Sequence, residues 1–266
     1  MRILTEGTYY GIKKNEIHSN GILLSEYDYN APRTGWHFHE NPYFMYVLQG
    51  DVYDVNRKSK KTCPPGSLIF HNWQEAHYNT KETPYARGFH IEFRRKWFED
   101  KQLDIALWEG SDLVKHPMAH HLLAKIYFEF RFQDAISPLS IELLMLQFCE
   151  GIQKHQFPEE KRPSWTKTLQ DLLQTDVIPM NLEGLSDYLG IHPVHLSRAF
   201  PKYFDCSLGD YLRKQKIQRA LPYLFEGNFS LTEIANICHF SDQSHFTRTF
   251  KAYLGQTPSA FQKHIR

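Results

Sequence analysis

The chain reads as an α+β protein, with an antiparallel β-barrel plus helices first and an all-α domain of paired helical units last. Three observations lead there. Short apolar and aromatic runs broken by turn formers fill residues 1–95. A helical period takes over near residue 97. An internal repeat then fills roughly the last hundred residues.

Composition sets the bounds. At 266 residues, length suggests about two domains. A hydrophobic fraction of 41% with 15% aromatics excludes a disordered or fibrous chain. No apolar run approaches the ~18 residues of a membrane span, and residues 1–7 lack a secretory pattern. Cys63, Cys149, Cys206 and Cys238 are isolated, which fits a reducing compartment, so a cytoplasmic location without membrane attachment is expected. The formal charge is only +1, so any nucleic-acid partner must be argued from where the basic residues sit.

Strand-like runs cover residues 43–48, 67–70 and 89–93, with turn formers at 41–42, 50–51 and 64–66. Strands at this spacing predict a sandwich or barrel over residues 1–95. Residues 96–155 form a helical packing and dimerisation segment. One helix is predicted over 113–132, and a second starts at Ser137, read as N-cap, with Pro138 at the first helical position. On that second helix Ile141, Leu144, Met145, Phe148 and Ile152 make one apolar stripe, and Leu139, Leu143 and Leu146 a second. A helix with two such faces buries one in its own domain and one on a partner copy, or both internally. Residues 154–163, rich in proline and charge, contain the linker, placed at 156–163, and 164–266 is the terminal domain.

Within that domain residues 182–189 match 231–238 at an offset of 49, and Leu196, Arg198, Phe200 and Tyr203 match Phe246, Arg248, Phe250 and Tyr253 at 50. Each copy is a short helix, a tight turn and a second helix. Ser230 with Glu233 makes a capping box, and Ser241 or Asp242 caps the helix after the turn. Phe246, Phe250 and Tyr253 recur at i, i+4 and i+7, which fixes a buried face and leaves Gln243, Ser244, Thr247, Arg248 and Lys251 outside, next to Ser241. In the first copy Leu196, Phe200 and Tyr203 face in, leaving Val194, His195, Ser197, Arg198 and Lys202 outward.

These outward faces suit a DNA major groove. Arg bonds guanine edges, Gln adenine, a valine meets a thymine methyl, and Lys neutralises phosphate. The connecting segment, residues 207–225, spans roughly 27 Å as a helix, so the two second helices can lie about one duplex turn apart. Pro222 is expected to kink this helix or end it early.

The segments 195–200, 208–213, 240–251 and 257–261, with Ile234-Ala235, resemble the AraC/XylS-type transcriptional regulators. The resemblance implies two helix-turn-helix units on a linker helix and base contacts from Val194, Ser197, Arg198, Gln243, Ser244, Thr247 and Arg248. Three residues depart from the pattern: His239 and Asp205 stand where glycine is usual, and Pro222 sits in the linker helix.

Residues 35–93 are similar to cupin barrels, through Gly35-Trp36-His37-Phe38-His39 and the stretch from Pro65-Gly66 to His77. Cupin enzymes bind metal through an H-x-H pair, a Glu and a later His. The Glu position falls at Tyr43 here, a poor ligand. On a strand His37 and His39 share a face, so with His77 they can hold Zn²⁺, Fe or a similar ion. Alternatively His37, His39, Tyr43, His77 and Trp73 line an organic-effector pocket. Trp36, Phe70 and Tyr78 would add an aromatic interior or rim, His90 is a weaker candidate, and the neighbours His120 and His121 are read as surface residues. Together these features imply a non-enzymatic, effector-controlled transcription regulator. Its partners would be double-stranded DNA, a small molecule, a second copy of the chain and, for an activator, RNA polymerase. The alternatives are a metal-dependent cupin enzyme with an accessory helical domain, or a metal-responsive regulator.

Overall fold

A computed structural model describes all residues except 74, 104–109, 116, 156–161, 174–180 and 266. Most of the expected linker lies outside the described residues, as does the Ile152 side chain.

The strands run β1 (Arg2–Leu4), β2 (Ile12–Ser19), β3 (Ile22–Tyr29), β4 (His37–His39), β5 (Tyr43–Gln49), β6 (Val52–Asn56), β7 (Lys60–Cys63), β8 (Leu68–His71), β9 (His77–Lys81) and β10 (Ala86–Phe93). Next come α1 (Arg95–Asp100), β11 (Ser111–Leu113), α2 (Pro117–Phe132) and α3 (Ser137–His155). The rest is helical: α4 (Ser164–Leu173), α5 (Leu182–Leu189), α6 (Pro193–Phe204), α7 (Leu208–Glu226), α8 (Leu231–Ile237), α9 (Gln243–Leu254) and α10 (Pro258–Ile265).

Two sheets form the barrel, in the orders β1-β4-β9-β6-β7 and β11-β8-β5-β10-β3-β2. Every pair is antiparallel except β1 with β4. β5 is buried along nearly its whole length because both of its faces are covered. Tyr43, Met45 and Val47 face the barrel interior. Phe44, Tyr46 and Leu48 join α2 and α3 in a second layer of core on the outside of the sheet. The ion network of Glu26 with Arg87 and Arg131 pins α2 to this sheet, and Tyr127 donates to the same carboxylate at 3.1 Å. A buried carboxylate with two guanidinium partners is tolerated, whereas an unpaired one would cost several kcal/mol.

Four local expectations need correction. The helix predicted over 113–132 begins at Pro117, and Ser111–Leu113 pairs with β8 as an edge strand. Ser137 does not cap forward. Its hydroxyl turns back to Asp134, whose carboxylate accepts the amides of Ile136 and Ser137. His120 is buried, with Nε2 bonded to the Val114 carbonyl at 2.8 Å, and His121 packs edge-on to Tyr253. Pro222 does not end α7, which continues to Glu226. A proline three to four residues from a helix end removes one backbone bond, and packing offsets that loss here.

That packing crosses the chain. The core of the barrel's outer layer runs without a break into Ile217, Leu221, Leu224 and Phe225 of α7 and on to Phe246, Phe250 and Phe261. Phe225 meets Tyr46 of β5 and Tyr127 of α2 at ring distances of 5.9 and 5.3 Å. The first helical copy has its own core of Leu169, Leu185, Leu196, Phe200 and Phe204. α7 belongs to both cores, since Leu208 and Tyr211 close the first one.

Candidate nucleic-acid interface and barrel site

Local chemistry builds each helical unit. Asn181 caps α5 by accepting the Gly184 amide, and Ser230 with Glu233 forms the expected reciprocal box on α8. α6 starts with Pro193 at its first position. α9 is capped by Asp242, which accepts the His245 amide at 2.7 Å; Ser241 instead bonds the His245 ring. Asp205 and His239 both take left-handed backbone, at φ 55° and 58°. Glycine adopts that region freely and other residues at a cost of about 1 kcal/mol or more. The two positions where the family resemblance expects glycine are therefore positions that demand its conformation.

The second helix of each unit presents one face to the core and one to solvent. Leu196 and Phe200 of α6, and Phe246 and Phe250 of α9, are fully buried. Val194, His195, Ser197, Arg198 and Lys202 are exposed on α6. Ser241, Gln243, Ser244, Arg248 and Lys251 are exposed on or beside α9, with Thr247 half-buried among them. Thr232 donates to the Gln243 carbonyl at 2.6 Å, which leaves the amide NH₂ available. The start of α7 is tied to α9, because Tyr253 donates to Asp210 at 2.6 Å and Arg213 bonds both residues. Asp210 is held below the usual carboxylate range by the Tyr253 hydroxyl bond, against burial, with Arg213 assisting.

The barrel interior holds a histidine cluster. His37, His39 and His77 are buried, with ligand atoms all within 4.8 Å of one another. A second group, Asp54, His71 and His77, meets the same criterion. His37 Nδ1 donates to the Gly35 carbonyl at 2.8 Å and His77 Nδ1 to Glu75 at 3.1 Å, so each turns a lone pair on Nε2 inward. Tyr43 donates to His77 Nε2 at 3.2 Å. Burial pushes the His39 and His71 rings well below the ordinary histidine value, and His77 and His90 down to about 3. Burial likewise pushes the Tyr43 phenol far up, so these histidines and Tyr43 are neutral donors and acceptors at neutral pH. The residues fit a divalent transition metal, for which neutral imidazoles are ordinary ligands.

Above the cluster opens a narrow cleft, lined by Tyr9, Tyr29, His37, His39, Tyr43 and His90 among others. Tyr9 stacks on His90 at 3.9 Å, and Tyr29 bonds the same ring at 2.8 Å. His77 lies behind this wall. Trp73 does not line the cleft: it borders a separate surface hollow, with Arg95 stacked on its ring at 3.9 Å. Phe70 faces the outer core against Phe44, and Trp36 and Tyr78 meet edge to face away from the cleft. Of the five aromatic residues expected at the interior or rim, only Tyr43 lines the cleft, because strand alternation sends Phe70 to the other face. Asp54 and His71 were missed. They lie on β6 and β8, and only strand register brings them to His77.

Paired helix-turn-helix units joined to a histidine-lined β-barrel define the class to which this protein belongs. Residues 185–264 match the family described as helix-turn-helix domain. The chain is 33% identical over 85 residues to the probable transcription factor PqrA of Proteus vulgaris, covering 32% of this chain and 70% of that protein. It is 34% identical over 83 residues to the HTH-type transcriptional activator AarP of Providencia stuartii, covering 31% of this chain and 62% of that protein. The match to GbdR of Pseudomonas aeruginosa, 32% over 80 residues, covers 30% of this chain and 22% of that protein. Among solved structures, ToxT of Vibrio cholerae O395 is similar over 92% of this chain and 98% of its own, at 12% identity and a TM-score of 0.39. The chain belongs to the AraC-type family of helix-turn-helix transcription regulators.

Proposed function

We propose that this chain regulates transcription by binding specific DNA through α6 and α9, under control of a small molecule held in the barrel cleft. The observation that carries the reading is the repeated geometry. In both units an arginine at the equivalent position, Arg198 or Arg248, stands exposed opposite a phenylalanine sealed in the core. A rigid helix with a polar face, an arginine fork and flanking lysines is what base-edge and phosphate recognition require.

A flat, weakly polar effector is supported by the neutral imidazoles and phenols of the cleft, where Lys81 is the one charged residue among the described lining. Tyr43 at the position of the cupin glutamate favours a sensor over an enzyme. Coupling is supported by the shared core, in which β5 forms the cleft wall through Tyr43 and touches α7 through Tyr46. A ligand changes DNA binding only if it prefers one arrangement of β5 and α7. Leu139 and Leu143 on α3, 60% and 53% exposed, with Ile136 and Phe132 beside them, support pairing with a second copy in the cytoplasm. RNA polymerase would be a further partner if the protein activates.

Selection of bound fragments from genomic DNA tests the reading. Enrichment of sites with two half-elements about one helical turn apart is expected. Retention of all fragments alike would overturn it.

A further inference from the structure

Among the buried side chains whose polar atoms have no hydrogen-bond partner, His71 is the one that stands in the barrel's histidine cluster with both ring nitrogens free. His71 is 1% exposed, and neither ring nitrogen has a hydrogen-bond partner. Its ring is sandwiched between Tyr43, at 4.6 Å, and His77, at 4.3 Å. Asp54, also 1% exposed, accepts from Asn79 Nδ2 on Oδ1 at 3.3 Å; the same oxygen stands 3.9 Å from His71 Nε2, too far for a hydrogen bond, and its Oδ2 is unpartnered. Orphaned buried polar atoms cost free energy that native structures rarely leave unrecovered.

We propose that Asp54, His71 and His77 form a site for a divalent transition metal such as Zn²⁺. The donor set is two imidazoles and one carboxylate, a combination that binds such ions tightly. Its ligand atoms already lie within 4.8 Å of one another, so small side-chain rotations close the shell. Two features select this trio over His37, His39 and His77. Asp54 supplies the negative charge that a buried dication needs, whereas the all-histidine set supplies none. Coordination would also give a partner to one His71 ring nitrogen and to Asp54 Oδ2, both of which lack one in the fold. An ion on His77 Nε2 replaces the 3.2 Å bond from Tyr43. His77 belongs to both trios, so the two sites exclude each other.

The consequence is structural as well as chemical. Asp54 and His77 come from β6 and β9 of the five-stranded sheet, and His71 from β8 of the six-stranded one. The ion therefore ties the two sheets together across the barrel, next to β5.

The test uses the full chain, stripped with chelator and titrated with Zn²⁺ and, for its visible absorption, Co²⁺. One ion per chain is expected, with a melting midpoint raised by about 5–10 °C at a hundredfold excess over Kd. Asp54→Asn and His71→Gln should each weaken binding about 100-fold or more, while His39→Gln and Tyr43→Phe leave it intact. Circular dichroism of the metal-free variants separates lost ligation from lost folding. X-ray absorption of the Zn²⁺-loaded parent needs no variant: two imidazoles support the assignment, and three overturn it. Failure of the parent to bind either ion, or dependence on His39 in place of Asp54 and His71, also overturns it. None of these outcomes bears on DNA recognition, which the fragment selection decides separately.

Discussion

Pro222 of α7 sits directly over Gly66 of the barrel. A Cβ placed on Gly66 would lie 2.8 Å from the proline Cγ, and Gly66 itself has φ +89°. The barrel thus touches the DNA-binding half at a position where only glycine fits, in both backbone and space. Gly66→Ala should lower the melting midpoint and speed amide hydrogen exchange in α7. The backbone term alone is about 1 kcal/mol. Adding Pro222→Ala removes the colliding Cγ, so the double variant should recover part of the loss; purely additive effects would deny the contact its role.

Arg198→Ala and Arg248→Ala should each weaken binding to a selected site by about 1–3 kcal/mol and relax base preference there, without moving the melting midpoint. Phe250→Ala, two residues from Arg248 but fully buried, should instead cost about 3–5 kcal/mol of stability. Fluorescence anisotropy and thermal melts on the same samples separate the two faces of α9. Lys251→Ala should weaken all sequences alike and lower the salt slope by about 1.

Leu139→Glu with Leu143→Glu should convert a dimer to a monomer in sedimentation measurements. Both leucines are more than half exposed, so folding is expected to survive. An unchanged sedimentation coefficient would assign the exposed stripe no role in pairing.

Burial holds His120 down to about 4, whereas an unfolded histidine titrates near 6.5. Between those values the unfolded chain binds the extra proton, so stability falls as pH drops from about 6.5 toward 4. The slope approaches about 1.4 kcal/mol per pH unit for this group. His120→Gln keeps a donor for the Val114 carbonyl and removes the titration. Urea unfolding at pH 7 and pH 5 should therefore show a smaller pH loss in the variant than in the parent.

The periodic features were legible. Phe246 and Phe250 one turn apart name the inward face of α9, and everything opposite them, Arg248 included, follows from helical geometry. His37 and His39 share the barrel interior for the matching reason in a strand, a period of two. Capping at Ser230 and Asp242 was equally local, as was the demand for left-handed backbone at Asp205 and His239, signalled by the glycine usual there.

Everything that depended on which elements meet was decided by the tertiary structure. Asp54, His71 and His90 reach the barrel interior through pairings among distant strands, and their neighbours in the chain carry no trace of it. Trp73 left the cleft, and His120, on the inner face of α2, was drawn against Tyr46. Pro222 remained inside α7 because the barrel and α2 pack around the helix. Side-chain periodicity states that a face is buried, and short-range hydrogen bonding states where an element begins. The identity of the opposing surface is a sum of many weak long-range contacts, which only the folded chain brings together.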